Sequence, residues 1–106
     1  MLSKLYRLPA PRISHVLRYG NRVGNQMFQL STEKAEIASR FSFIVSTKID
    51  KRATRRNRIR RLLSESVRHQ LPNIKGLDCV FVVRKNFSDT KQVEVEKMVM
   101  ELFQKI

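Results

Sequence analysis

Residues 48–63 read KIDKRATRRNRIRRLL, a stretch whose side chains could bind the phosphate groups of a polyanion. Eight of these sixteen residues are Lys or Arg, and arginines outnumber lysines six to two. A guanidinium group can hold a phosphate through two parallel hydrogen bonds, whereas a charged face that only meets water does not require arginine. The composition therefore predicts an ordered polyanion-binding surface rather than a solvated run of charge.

The charge of the whole chain indicates the same kind of partner. Twenty-two Lys and Arg stand against nine Asp and Glu, which gives a formal net charge of +13. Such an excess repels itself unless a polyanion neutralises it, and nucleic acid is favoured over the alternative, an anionic membrane surface. A DNA-reading helix is disfavoured because the sequence has no short-spaced helix-turn-helix partner and no zinc ligands. We therefore expect a nucleic acid as the partner, without a membrane and without DNA that is read in its groove.

Hydrolysis of RNA by the polypeptide itself would require other residues. Protein nucleases use clustered carboxylates that hold divalent metals, or a general acid–base pair beside a phosphate clamp. The nine acidic residues are scattered without a D-x-D or H-x-H spacing, and His15 and His69 are isolated in the sequence. We predict no catalytic residue and no metal site in this chain.

Length and composition favour one domain over residues 1–106, with a partly mobile lead-in over residues 1–10. A hydrophobic content of 42% permits a core. The lone Cys79 excludes an internal disulfide framework and fits a reducing compartment. No stretch approaches the roughly 20 apolar residues that span a bilayer. We expect a cytoplasmic protein.

Short-range patterns predict the elements that must position the cations. Residues 11–19 carry apolar side chains at i, i+3 and i+4, one face of a helix. Residues 26–32 and 41–47 have the aromatic and β-branched character of strands, and residues 79–83 form an apolar run typical of a buried strand. The C-terminal segment repeats the helical stripe. The predicted order is helix, two or three strands, helix, strand, helix, with the helices on one sheet.

The basic stretch itself is predicted to be a helix from residue 53. Its apolar stripe, at i, i+3, i+4, i+7 and i+8, consists of Ile59, Leu62, Leu63, Ser66 and Val67. At about 100° per residue, Asn57, Arg61 and Arg68 point to the other side, while Arg58 and Arg60 flank the stripe. We expect Arg58 and Arg61 to contact the polyanion without supporting the core.

The longer segment KIDKRATRRNRIRRLLSESVR resembles the signature of the bacterial ribonuclease P protein family, with Arg56, Asn57 and Arg58 as its Arg-Asn-Arg core. The resemblance extends to GNRVGNQMFQL and FSFIVST before the motif and to VFVVRK after it, in the family's order. It implies an α+β two-layer sandwich with a mixed four-stranded sheet in the order α-β-β-β-α-β-α, like a ribosomal-protein domain. It also implies a left-handed βαβ crossover, which general physics would not predict because about 98% of parallel crossovers are right-handed.

The resemblance further implies a protein that joins a catalytic RNA and helps it remove the 5′ leader from precursor tRNA, with Mg²⁺ held through the RNA subunit. The residues expected to bind the catalytic RNA are Lys48, Lys51, Arg52, Arg55, Arg56, Asn57, Arg58, Arg60, Arg61 and Arg68. The residues expected to form the leader cleft are Ile13, Leu17, Phe28, Phe43, Arg84 and Lys85.

Two departures from the family pattern affect these expectations. The family usually has two aromatic residues on the first helix where this chain has Ile13 and Leu17, and aliphatic side chains stack less well on bases. The family's Lys-Lys before the motif is Thr47-Lys48 here, one positive charge fewer.

Two other functions remain open from the sequence. A ribosomal or general RNA-chaperone protein of the same small fold would share the charge but would not depend on one RNA partner. A protein nuclease with an unrecognised site would cut RNA by itself in Mg²⁺.

Overall fold

The elements follow the order implied by the family resemblance, α-β-β-β-α-β-α. The computed structural model describes residues 6–36, 38–74 and 76–106. The elements are α1 (Ala10–Tyr19), β1 (Asn21–Gly24), β2 (Phe28–Lys34), β3 (Arg40–Ile44), α2 (Ala53–Gln70), β4 (Leu77–Val83) and α3 (Gln92–Gln104), with a 3₁₀ turn, Leu71–Asn73, after α2. This arrangement confirms the predicted α+β class with a mixed four-stranded sheet.

The sheet has the strand order β1-β2-β4-β3. Strands β1, β2 and β4 pair antiparallel, whereas β3 pairs parallel to β4. The chain passes from β3 to β4 through α2, so the arginine-rich helix is the crossover of a βαβ unit. The left-handed sense of this crossover stays a prediction.

The two faces of the sheet pack against different helices, because side chains alternate along a strand. In β4, Phe81 and Val83 belong to the main core with α2 and α3, while Val80 packs in a smaller cluster with Val16 of α1. Helix α1 thus lies on the face opposite α2 and α3. It covers only part of that face, and Val82 beside it remains half-buried.

The apolar stripe predicted for α2 is confirmed. All five of its residues are buried, and Ile59, Leu63 and Val67 have no exposed surface. Residues Val95, Val99 and Leu102 of α3 complete this core. Burial also raises the pKa of the Cys79 thiol, which is consistent with its predicted place in the core.

Strand β1 was implied by the family resemblance, but the residue pattern gave no range for it, because an edge strand that is mostly exposed lacks an apolar pattern. Three of its four residues, Asn21, Arg22 and Gly24, are exposed. The turn before it depends on Gly20, since a Cβ there would lie 2.5 Å from the Val16 carbonyl oxygen and 2.7 Å from that of Thr32. A glycine therefore allows α1 to pass directly into the sheet.

The predicted lead-in is in part a strand-like segment. Residues 1–5 lie outside the described residues. Leu8 is 2% exposed, and its N–H donates to the Phe41 carbonyl oxygen at 2.9 Å. An isolated parallel bridge joins Arg7 to Phe41. The segment before α1 therefore runs along the outer edge of β3.

Buried Asp78 of β4 links α1 to the sheet. Its carboxylate accepts hydrogen bonds from Arg12 of α1 at 3.0 and 3.2 Å and from Arg40 of β3 at 3.2 Å. Arg12 also lies 3.6 Å from Glu33, which pairs in turn with His15. Asp78 is 1% exposed, and the two arginines compensate its buried charge.

We expect Asp78→Asn to lower the free energy of unfolding by about 1.5–3 kcal/mol, since hydrogen bonds to charged groups contribute amounts of this size. Chemical denaturation measures the change. Asp89→Asn is the matched control. Asp89 pairs with Arg55, but its side chain is 87% exposed, and exposed ion pairs contribute little to stability. Equal effects of the two substitutions would contradict an anchoring role for Asp78.

Candidate nucleic-acid interface

The loop before α2 is shaped by Asp50. Its carboxylate accepts hydrogen bonds from the backbone N–H of Arg52 at 2.9 Å, from the Arg52 guanidinium at 2.9 and 3.1 Å, and from Asn86 at 3.0 Å. The hydrogen bonds from Arg52 lower the pKa of the Asp50 carboxyl. Asp50, the one acid of the basic stretch, therefore orders the loop that leads into α2.

Three arginines of the first turns of α2 make contacts within the protein. Arg56 donates to the carbonyl oxygens of Asp50 and Lys51 at 3.0 and 2.9 Å. Arg55 pairs with Asp89 at 2.7 Å. The Nε of Arg58 donates to the Ser88 carbonyl oxygen. The bonds of Arg55 and Arg58 fasten the start of α2 to the turn that follows β4, and those of Arg56 fasten it to the loop before α2.

The contact of Arg58 corrects one expectation. We expected this side chain to be replaceable without an effect on the fold. It is exposed, but it joins α2 to a residue that lies thirty positions further along the chain. Arg61 fits the expectation, because it is exposed on the solvent side of α2.

The remaining predicted RNA-binding residues fall into two groups. Arg60 donates to Asn57 at 2.6 Å, and Arg68 pairs with Glu65 at 2.9 Å. In the described part of the chain, no hydrogen bond or ion pair engages the side chains of the second group, which are exposed: Lys48, Lys51 and Arg61. We call these residues, with Arg52, Arg55, Arg56 and Arg58, the α2 surface, which extends from the approach loop along α2.

A second surface lies between α1 and the uncovered part of the sheet. Four half-buried side chains pack there against the small core cluster under α1: Ile13 and Leu17 of α1, Ile44 of β3 and Val82 of β4. Arg84 follows Val82 by two positions, which places it on the same face of the chain. We call these five residues the α1 cleft.

Hydrogen bonds hold the guanidinium of Arg84 at the end of this cleft. It donates to the Asn25 carbonyl oxygen at 3.0 Å and to the Gln29 side chain at 2.8 Å. Lys85 is exposed beside it. The cleft thus combines an apolar floor with a basic end.

The prediction that Phe28 and Phe43 line this cleft is wrong. The register pairs Phe28 with Val83 and Phe43 with Phe81, so both rings lie on the face of α2 and α3. Phe28 has no exposed surface, and the half-buried Phe43 stacks on Phe81 with ring centroids 5.4 Å apart.

The sequence interpretation missed Ile44 and Val82 for the same reason. Residues 79–83 were treated as one apolar run, although side chains on a strand alternate between its two faces. The parity of each strand would have placed Ile44 and Val82 opposite the phenylalanines.

The structure brings two acids together that are far apart in the sequence. Glu33 and Asp78 are partners in the β2–β4 register, where Arg12 and Arg40 engage them. Among the described residues, no group of three or more His, Cys, Asp or Glu could hold a metal ion. Nor does any helix in the described ranges have the length and apolar character to cross a membrane.

The fold and this surface define a class of small α+β domains in which an arginine-rich helix connects two parallel strands. The family model described as Ribonuclease P matches residues 2–106. The chain therefore belongs to the ribonuclease P protein family, as its sequence motifs predicted.

Similar proteins agree with this assignment. The ribonuclease P protein component of Marinomonas sp. (strain MWYL1) is 38% identical over 66 residues, which cover 62% of this chain and 50% of that protein. The chain thus spans about half the length of the curated relatives it matches.

Solved structures of the family share the fold. The RNase P protein from Thermotoga maritima is 28% identical, with a TM-score of 0.83 over 94% of this chain and 96% of that one. The RNase P protein of Staphylococcus aureus, 22% identical, has a TM-score of 0.82 over 93% of each chain and is similar in fold alone.

Proposed function

We propose that this protein is the protein subunit of ribonuclease P and works in the cytoplasm. It would bind the catalytic RNA of the enzyme and the 5′ leader of precursor tRNA, and so help remove the leader. The observation that carries the proposal is the ordered basic surface of α2, together with a separate apolar cleft with a basic end on the opposite face of the sheet, on the family's fold.

The α2 surface suits the phosphates of a folded RNA. Lys48, Lys51 and Arg61 keep their charged groups available, whereas the contacts of Arg56 and Arg58 order the backbone that presents them. Each neutralised phosphate releases counterions, so the affinity is expected to fall steeply with salt. Internal bonds of some arginines thus order the backbone, and other cations remain available to phosphates. This arrangement supports RNA binding in which little of the protein backbone has to become ordered.

The α1 cleft suits a single strand. Its aliphatic floor can cover bases, and Arg84 at its end can bind phosphate. A leader held there would fix the substrate relative to the RNA and raise its affinity. Mg²⁺ held by the RNA would supply the hydrolytic chemistry, and this protein would contribute positioning and charge compensation near that RNA.

The deciding experiment is to identify the RNA that co-purifies with the tagged protein and to test the complex on precursor tRNA. We expect one catalytic RNA, and we expect cleavage at the mature 5′ end by the complex. The protein without RNA should leave the substrate intact at any Mg²⁺ concentration. Recovery of mixed RNAs would favour the RNA-chaperone alternative, and cleavage by the protein alone would favour the nuclease alternative.

The aliphatic residues of α1 lead to a prediction about leader affinity. Ile13→Phe with Leu17→Phe should tighten the binding of leader-bearing tRNA to the complex, roughly tenfold, because stacking of a base on an aromatic ring contributes about 1–3 kcal/mol. Binding assays with precursor and mature tRNA measure the effect, and mature tRNA should bind unchanged. Val93→Phe, at an exposed position of α3, is the control. Equal tightening of both tRNAs would place these side chains outside the leader path.

A further inference from the structure

A cavity of about 400 Å³ lies at the outer edge of β3. It is bounded by the segment before α1, by β3 and by α2, and the residues that matter here are Tyr6, Arg7, Ala10, Phe43, Arg60 and Ser64. One lining residue, Ile13, also belongs to the α1 cleft, and Arg60 belongs to the basic surface of α2. The cavity therefore lies where the two candidate surfaces meet.

The edge of β3 offers a hydrogen-bond donor and an acceptor to this cavity. Among the described strands, β3 pairs with β4 on one side only. On its other side, the outer edge, the described pairing ends at Phe41, whose carbonyl oxygen accepts a hydrogen bond from the N–H of Leu8. Backbone groups alternate in direction along a strand, so the N–H and C=O of Phe43 point to the same outer edge. This adjacent pair matches the donor and acceptor on the edge of a base.

The other walls provide rings and positive charge. Tyr6 and Phe43 are half-buried, and the ring of Phe43 is held against Phe81 at an interplanar angle of 19°. Arg7 is exposed, and Arg60 uses one nitrogen on Asn57 and keeps its remaining donors. No carboxylate is present among the described residues that line the cavity. Such walls favour an aromatic ligand that carries an anion.

We propose that this cavity binds one nucleotide of unpaired RNA, with its base against Tyr6 and Phe43 and its phosphate near Arg7 and Arg60. The volume is at the low end of the roughly 300–1,000 Å³ of small-ligand pockets, which suits one nucleotide. The inference rests on the proposed function and extends it, because an unpaired strand would pass from the α2 surface to the α1 cleft around the edge of β3.

The test is an NMR titration of the free protein with uridine monophosphate and adenosine monophosphate. We expect saturable shifts of the backbone signals of Tyr6, Phe43 and Ser64. Ala10→Phe fills the cavity from an exposed position and should weaken binding at least about tenfold, an easily measured change. Met100→Phe on α3, also at an exposed position, should leave binding unchanged.

A second variant tests the phosphate contact without a change in packing. Arg60→Gln should weaken the binding of both monophosphates. It should leave the binding of uridine, which is weaker in the wild type, unchanged. Shifts centred on Leu17 and Val82 that persist in Ala10→Phe would assign the base to the α1 cleft and overturn the proposal. Equal shifts with inorganic phosphate alone, or no shifts at all, would overturn it too. The co-purification experiment would still decide the proposed function separately.

Discussion

Leu63→Ala is expected to lower the free energy of unfolding by about 2–5 kcal/mol, the range for truncation of a fully buried leucine. Leu63 has no exposed surface and lies in the core between α2, the sheet and α3. The substitution removes buried apolar surface and leaves a cavity that a packed core closes only in part. In a domain of this size, the melting temperature should fall by roughly 10–25 °C.

Thermal and chemical denaturation check this result against a matched control. Met100→Ala removes a side chain that is 40% exposed on α3, and should change the stability by no more than about 0.5 kcal/mol. Arg61→Ala should behave like this control, whereas Arg58→Ala should be less stable because it loses the bond to Ser88. A Leu63→Ala protein that melts like the wild type would mean that the faces of α2 are assigned backwards.

The local elements could be predicted where periodicity is strong. The stripe of α2 fixed both the type of element and its buried face, and the observed start at Ala53 agrees with the change of period. Strand β1 has no such stripe because it lies at the edge with both faces largely exposed. The family resemblance implied the parallel pairing across α2, whereas the strand order β1-β2-β4-β3 was not predicted, since no short-range pattern encodes the neighbour of a strand.

The candidate site was likewise predictable in part. The positions of the cations are evident from the sequence, but their roles depend on distant partners. Arg55 meets Asp89 over a separation of 34 residues, and Arg12 meets Asp78 over 66. Local spacing cannot distinguish an arginine that anchors the fold from one that remains available to RNA. Strand parity, by contrast, is local, and it would have excluded Phe28 from the cleft.

The cations without partners among the described residues are the ones that can be removed with the least disturbance to the fold. Lys48 and Lys51 belong to the approach loop, and Arg61 lies on the solvent side of α2. Their charged groups meet water in the free protein, so binding to RNA need not break an internal hydrogen bond. A matched set exists on the other helix, because Lys91, Lys97 and Lys105 are exposed along α3 or at its ends.

Joint replacement of Lys48, Lys51 and Arg61 by Ala should weaken binding of the catalytic RNA roughly 100-fold, because an exposed ion pair contributes up to about 1 kcal/mol and about 1.4 kcal/mol corresponds to a tenfold change. The slope of log K against log salt should flatten by about 2–3, given about 0.7–0.9 for each lost phosphate contact. Salt-titrated binding curves measure both quantities. The matched triple lysine variant of α3 removes the same charge, so a similar loss in that protein would show that total charge, rather than the α2 surface, determines the affinity.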